Sequence, residues 1–184
     1  MESRGKNGTA MELRNLSYSN TKKQVLCNLN LSLRNGEIHS VIGEMGAGKS
    51  TLGLVLAGIL QGFSGELVID GLVYSAFDQS KARFHRIALV SQMNPQVSAF
   101  TIVETMLLDH RMSFFPLKSL RKERLEIQTF LNSLEEHFEL DMHIPVSRLS
   151  LSDQLLIEIL KQLFHNPRIL ILDETLGRLD GPTL

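Results

Sequence analysis

Leucines alternate with polar residues across 25–33, placing Leu29, Leu31 and Leu33 on one face and Asn28, Asn30 and Ser32 on the other. That two-residue period predicts a half-buried strand, and Asn35-Gly36 after it predicts a turn. A further apolar stretch, Glu37 to about Ile42, reads as another strand and runs straight into a glycine-rich segment, after which Ser50 to Leu60 carries leucines at helical spacing. The order is strand, loop, helix. Glu66 to Ile69 predicts a strand closed by Asp70-Gly71, and Ile87 to Val90 another short one. Between Thr101 and Phe138 the pattern turns helical, interrupted at Pro116, with Leu120, Leu125, Phe130, Leu131 and Leu134 among its apolar positions. Ser152 to Phe164 predicts an amphipathic helix. Asn166-Pro167 then turns the chain into Ile169–Leu172, a continuous apolar run of the kind found in buried parallel strands. No internal repeat or low-complexity stretch interrupts this order.

Composition narrows the class without naming it. The 184 residues suit one domain, and 43% apolar against 21% charged residues is globular rather than disordered composition. Lys+Arg 19 against Asp+Glu 20 leaves a net charge of −1, so no global cationic field draws the chain to nucleic acid or anionic lipid. Any phosphate binding must be local. The single Cys27 allows no internal disulfide, which fits a reducing compartment and makes the cytoplasm the expected location. Residues 1–10 are polar and read as a flexible tail rather than a signal peptide, with Met11 a possible start. No apolar run reaches the ~18 residues of a membrane helix, so membrane association would require a partner.

The strongest chemical signal is Gly43-Glu44-Met45-Gly46-Ala47-Gly48-Lys49-Ser50-Thr51, which satisfies the phosphate-loop pattern GxxxxGK[ST] between an expected strand and an expected helix. Glycines let successive N–H groups turn toward phosphate oxygens, and a helix start adds partial positive charge. Lys49 is expected to reach the β- and γ-phosphates and Ser50 to ligate Mg²⁺. The alternative, a glycine-rich turn with a surface lysine, leaves the strand–loop–helix context unexplained. A second signal is Ile169-Leu170-Ile171-Leu172-Asp173-Glu174, an apolar strand delivering two carboxylates at its end, where open α/β sheets bind ligands. Asp173 is expected to hold Mg²⁺ or its water, and Glu174 to orient and deprotonate the attacking water. Alone, this pair reads equally well as a solvated strand end.

Together, at this separation and with a helical insert between them, these motifs resemble the ATP-binding cassette family from about Met11 to Asp180. The resemblance implies an α/β fold: a P-loop NTPase core with an N-terminal antiparallel β region and a helical subdomain at about 98–160, in one cassette spanning 11–184. Tyr18 matches the aromatic position that stacks on adenine, although aromatic residues favour strands in any case. Gln92, in Leu89-Val90-Ser91-Gln92, matches the glutamine that senses Mg²⁺ and the attacking water. Leu149-Ser150-Leu151-Ser152-Asp153 occupies the signature position, usually LSGGQ, with Ser150 expected on a partner's nucleotide; Leu179-Asp180 matches the end of the following loop. Ile38 to Gly48 and Gln154-Leu155-Leu156-Ile157-Glu158-Ile159 before Lys161 look most like monosaccharide-import ATPases, whose relatives also import nucleosides.

Two departures stand out. Ser152 replaces the second signature glycine and Asp153 the glutamine, so a carboxylate facing the nucleotide at ~5 Å, with an effective dielectric of ~20, would cost roughly 3 kcal/mol per unit of like charge. Alternatively, Ser152 caps the following helix and Asp153 complements its positive end, pointing away from ATP; reduced rather than absent signature function is expected. Thr175 stands in place of the usual proline, a tolerable change. None of His39, His85, His110, His137, His143 or His165 follows Glu174, so the family's switch histidine is missing, and a cassette truncated at its C-terminus is expected.

The resemblance therefore implies an ATPase that uses ATP and Mg²⁺ and pairs with a second cassette and membrane permease subunits, peripheral to the cytoplasmic face of the membrane, to power sugar or nucleoside import. The alternative is a regulatory or degenerate half-cassette with little turnover. A third reading, a soluble relative in translation or DNA repair, would call for basic patches or long coiled coils, and neither is present.

Overall fold

The computed structural model describes residues 8–91, 100–108, 120–134 and 141–173. The chain divides into two compact units, 1–89 and 90–184.

The first unit is built on a four-stranded antiparallel sheet in the order β2-β1-β3-β4, from β1 (Thr9–Ser19), β2 (Gln24–Arg34), β3 (Ser64–Ile69) and β4 (Leu72–Tyr74). The leucine alternation emerges as expected: Leu29, Leu31 and Leu33 are half-buried, while Asn28, Asn30 and Ser32 are exposed. On β1, Leu13 and Leu16 are both buried although three positions apart. A bulge reconciles this with a two-residue period, because Asn15 takes φ 51° and the register shifts between the two leucines. Asn30 holds the bulge, its Oδ1 accepting from the Asn15 N–H at 3.0 Å and its Nδ2 donating to Asn15 Oδ1 at 3.2 Å. Asp70-Gly71 joins β3 to β4 as a two-residue hairpin with both residues at positive φ, 54° and 79°, a backbone twist that matches the flanking strands.

Two helices complete this unit. α1 (Lys49–Leu56) is shorter than the leucine pattern suggested, because the chain leaves the helix at Gly58. Gly58, at φ 69°, donates to Val55 O and Ile59 donates to Leu54 O, a pairing that satisfies the last carbonyls through a left-handed residue. α2 (Gln79–Phe84) had no periodic signal in its six residues; it is set by Asp78, whose carboxylate accepts from the Lys81 N–H at 2.9 Å.

One expectation fails here. Glu37 to Ile42 forms no strand, and its apolar side chains face solvent, with Ile38 96% and Ile42 93% exposed. An apolar run reports a preference for burial, but a strand also needs a neighbour with which to exchange backbone hydrogen bonds, and none pairs with this segment among the described residues.

The second unit has a helical core. α3 (Ile102–Leu107), α4 (Leu120–Ser133) and α5 (Leu151–Phe164) bury Ile102, Val103, Met106, Ile127, Leu131, Ile157 and Leu160 together. Leu125 lies off that stripe and is 66% exposed. Thr101 opens α3 with a reciprocal capping box to Glu104. The segment before α5 is tied to the α3 start by Val146 N–H to Phe100 O at 2.9 Å and Ile102 N–H to Ile144 O at 3.2 Å. β5 (Ile87–Ser91) and β6 (Ile169–Asp173) form a two-stranded sheet. β6 was expected to be buried; Ile169 is, but Leu172 is 37% exposed, since the described sheet has only these two strands.

Candidate phosphate-binding loop and signature helix

The loop is exposed from Gly43 to Ala47 and ends in half-buried Gly48 at the N-terminus of α1. Gly48 is the N-cap residue and adopts φ 97°, a left-handed conformation costly for any residue with a Cβ. Space makes the same demand: a Cβ on Gly48 would lie 3.0 Å from Leu26 Cδ2 and 3.1 Å from the Val25 carbonyl oxygen. The N-cap has no side-chain hydrogen bond, and α1 has no acidic residue in its first turn. An anion at this start would meet neither a capping side chain nor an acidic residue in the first turn.

Lys49 folds back over the loop. Its Nζ donates to the carbonyl oxygens of Gly43 and Glu44, both at 2.8 Å. Ala47 N–H also closes onto Glu44 O at 3.2 Å. The ammonium is thus already positioned across the mouth of the loop, held by neutral acceptors weaker than phosphate oxygens. Met45 and Ser50 are exposed beside it, and Thr51 is half-buried in the first turn of α1.

Tyr18 belongs to the same unit. It lies half-buried on β1 opposite Leu26 of β2, and Leu26 is the residue against which Gly48 packs. The first unit thus brings Tyr18 and Gly48, at the end of the loop, to the Leu26 end of the β1–β2 pair.

In the second unit, Asp173 is the last residue of β6 and half-buried. Ser150, rather than Ser152, caps α5: its Oγ accepts from the Asp153 N–H at 3.1 Å and donates to Asp153 Oδ2 at 2.7 Å. This corrects the assignment of the cap to Ser152 and shows what occupies the Asp153 carboxylate, a bond that Ser-x-x-Asp spacing at a helix start would have suggested. Gln92, Glu174, Thr175, Leu179 and Asp180 lie outside the described residues.

Sequence reasoning also passed over two buried polar groups. On α5, Lys161 Nζ lies 2.9 Å from Glu158 Oε2, with both side chains almost fully buried, and Gln162 Nε2 donates to Glu158 Oε1 at 2.9 Å. Charges three apart on a helix are a signal for such a pair. In the first unit, buried His85 places Nε2 2.7 Å from the Tyr74 hydroxyl and Nδ1 3.6 Å from Asp70 Oδ2.

Mg²⁺ takes hard oxygen donors, commonly one or two from protein with phosphate and water completing the shell. Ser50 in the first unit and Asp173 in the second each carry a donor of that type, and among the described residues no group of three or more His, Cys, Asp or Glu could hold a metal ion. No described helix is long and apolar enough to cross a membrane.

Comparison with known proteins gives one answer. The family described as ABC transporter matches residues 26–177. The ribose import ATP-binding protein RbsA of Yersinia pestis is 33% identical over 165 residues, 89% of this chain and 32% of the relative. The nucleoside import ATP-binding protein NupA of Lactococcus lactis is 36% identical over 151 residues, 79% of this chain and 28% of the relative. The chain thus spans about a third of the length of the curated relatives it matches. Among solved structures, a dimeric bacterial ABC transporter cassette is similar with TM-score 0.76 at 26% identity, covering 92% of this chain and 76% of that one. A post-hydrolysis cassette dimer bound to ADP and Pi gives TM-score 0.72 at 25% identity, covering 93% and 76%. With a family match over most of its residues and this likeness to solved cassettes, the chain belongs to the ABC transporter family and has the fold of its ATPase cassettes.

Proposed function

We propose that this chain binds Mg-ATP on the Gly43–Thr51 loop and hydrolyses it, together with a second cassette, to power import of a sugar or nucleoside through a membrane permease. The observation that carries the reading is the Lys49 ammonium held over the loop by two carbonyls at 2.8 Å. Phosphate oxygens outcompete neutral carbonyls for a cation, since charge-assisted bonds are roughly twice as strong. Loop N–H groups and the unopposed start of α1 add to the attraction.

In this reading Tyr18 stacks on the base, and Glu44, Met45, Gly46 and Ala47 wrap the phosphates with Gly43 and Gly48. Ser50, Asp173 and Gln92 hold Mg²⁺, which when bound neutralises charge on the β- and γ-phosphates. Glu174 takes the proton of the attacking water and Gln92 orients that water. The substrate class rests on relatives whose names specify ribose and nucleoside import. The placement at the cytoplasmic membrane face, the permease, the second cassette and the division into a tail at 1–10, a cassette at 11–184 and a helical subdomain near 98–160 follow the same family likeness.

Titration with a fluorescent ATP analogue tests the site. Saturable, Mg²⁺-dependent binding that Lys49→Ala weakens by about a hundredfold, the scale of a lost charge-assisted contact to polyphosphate, is expected. Unchanged affinity in that variant would contradict the assignment. A second reading, a half-cassette of low turnover, is favoured by one observation: the Ser150 hydroxyl is bonded to Asp153.

A further inference from the structure

The Gly43–Thr51 loop carries one side chain whose chemistry the nucleotide reading does not use. Met45, between Glu44 and Gly46, is 99% exposed. The other described methionines are packed away: Met11 and Met106 are buried, and Met142 is half-buried against the core of the second unit. Oxidation of a thioether needs access of the oxidant to sulfur. Among the described methionines, Met45 is therefore the one that a small oxidant reaches without any opening of the fold. Its backbone also ties it to the cation of the loop. The Met45 nitrogen belongs to the same peptide as the Glu44 carbonyl oxygen, which accepts from Lys49 Nζ at 2.8 Å and from the Ala47 N–H at 3.2 Å. The side chain thus departs from the Cα next to a peptide that the ammonium touches. Because methionine is long and unbranched, an oxygen added to its sulfur lies within reach of that ammonium.

We propose that Met45 is an oxidation site for hydroperoxides, whose sulfoxide lowers the affinity of the loop for nucleotide. The proposal rests on the nucleotide-binding reading above and adds a regulator to the same site. In the step, the thioether sulfur attacks one peroxide oxygen, and the S–O bond forms as the O–O bond breaks. The proton of the transferred hydroxyl passes to the departing oxygen, which leaves as water or an alcohol. Sulfur loses two electrons and the peroxide gains them. The product presents a polar S–O oxygen where the thioether was only a weak acceptor. That oxygen competes with phosphate for Lys49, and its partial negative charge repels the phosphate oxygens. Methionine sulfoxide reductases return the thioether, so the change is reversible.

The test treats the full chain with dilute hydrogen peroxide, then reads each sulfur by peptide mass and the loop by titration with a fluorescent ATP analogue. Tryptic cleavage isolates Met45 in the 35–49 peptide, which holds no other methionine or cysteine; Met11, Met142 and exposed Cys27 fall in the separate peptides 7–14, 125–148 and 24–34. The 35–49 peptide should gain one oxygen before those of Met11 and Met142. Nucleotide affinity should fall by about tenfold as it does, the scale of one weakened charge-assisted bond, and return on treatment with the reductases. Met45→Leu removes the sulfur and keeps an apolar side chain; compared with itself before and after peroxide, it should show no change. Met45→Gln, with an amide oxygen near the position of the sulfoxide oxygen, should bind nucleotide more weakly than Met45→Leu. Met45 oxidising no sooner than buried Met11 overturns the site, whatever the nucleotide does. Oxidised Met45 with unaltered affinity, or an equal loss in Met45→Leu, overturns the coupling and leaves the cassette reading intact. A parent that binds no nucleotide before peroxide is added overturns the cassette reading, and the coupling with it.

Discussion

Leu26 on β2 and Gly48 at the end of the phosphate loop are packed so closely that a Cβ at position 48 would stand 3.0 Å from Leu26 Cδ2. The Val25 carbonyl, 3.1 Å from the same point, belongs to the backbone and cannot swing aside. With φ at 97°, a side chain there is strained before any contact is counted. Gly48→Ala is therefore expected to cost about 1–2 kcal/mol from the left-handed conformation alone and to displace the first turn of α1. Urea unfolding reads the first effect, and fluorescent-nucleotide titration, with affinity falling at least about tenfold, reads the second.

The buried pair on α5 makes a sharper stability prediction. Lys161→Met leaves the Glu158 carboxylate buried without its nearby cation, a change that costs about 3–5 kcal/mol. Adding Glu158→Gln removes the stranded charge, and the double variant should recover most of that loss. Denaturant midpoints of Lys161→Met, Glu158→Gln alone and the double variant, taken with an unchanged m-value, check the coupling. Additive effects would show that the pair does not interact energetically.

His85 links a turn to a strand. Its Nε2 meets the Tyr74 hydroxyl at 2.7 Å, and the ring contacts Tyr74 and Phe84 edge-on with centroids 5.5 and 5.0 Å away. His85→Leu fills the space but strands the hydroxyl, and a loss of about 1–3 kcal/mol is expected. Tyr74→Phe in the same background should restore part of it, since removing both partners of a part-buried bond is milder than removing one. Thermal unfolding of the single and double variants gives the answer.

Acid sensitivity should come partly from the sheet surface. Glu12 has its carboxyl pulled below the usual 4.5 by a hydrogen bond from Arg14, whose guanidinium also approaches Glu66 at 3.5 Å. A depressed folded-state value means that the contribution is present above the unfolded value and is lost as pH falls through the folded one. The window lies below pH 4.5. The pair is exposed, so the effect is small and screened by salt. Unfolding profiles between neutral and acid pH should be slightly flatter in Glu12→Gln at low ionic strength and indistinguishable from the parent in high salt.

How far the sequence reveals this molecule depends on what each signal reports. The leucine alternation of β2, the Asp70-Gly71 hairpin and the apolar face of α5 follow from period and turn chemistry, which are local, and the structure reproduces them. The Gly43–Thr51 motif stands out along the chain for the same reason: its glycines and lysine are contiguous. Glu37–Ile42 misled because strand formation depends on a neighbour that composition does not name. α2 escaped notice because six residues are too few to show a helical period, and only its Asp78 cap marks it. The cap at Ser150 was misplaced by two residues, since Ser150 and Ser152 are both competent and the choice is made by where the backbone enters the helix. The bulge at Asn15 depends on Asn30 from another strand, a pairing invisible along the chain.

The most direct test of the central claim is ATP turnover with Mg²⁺ by the purified chain, measured beside Lys49→Ala and Glu174→Gln with nucleotide binding recorded in parallel. The account predicts turnover in the parent, loss of binding and turnover in Lys49→Ala, and loss of turnover with binding retained in Glu174→Gln. Nucleotide binding by the parent without turnover, or turnover that survives both substitutions, would contradict it.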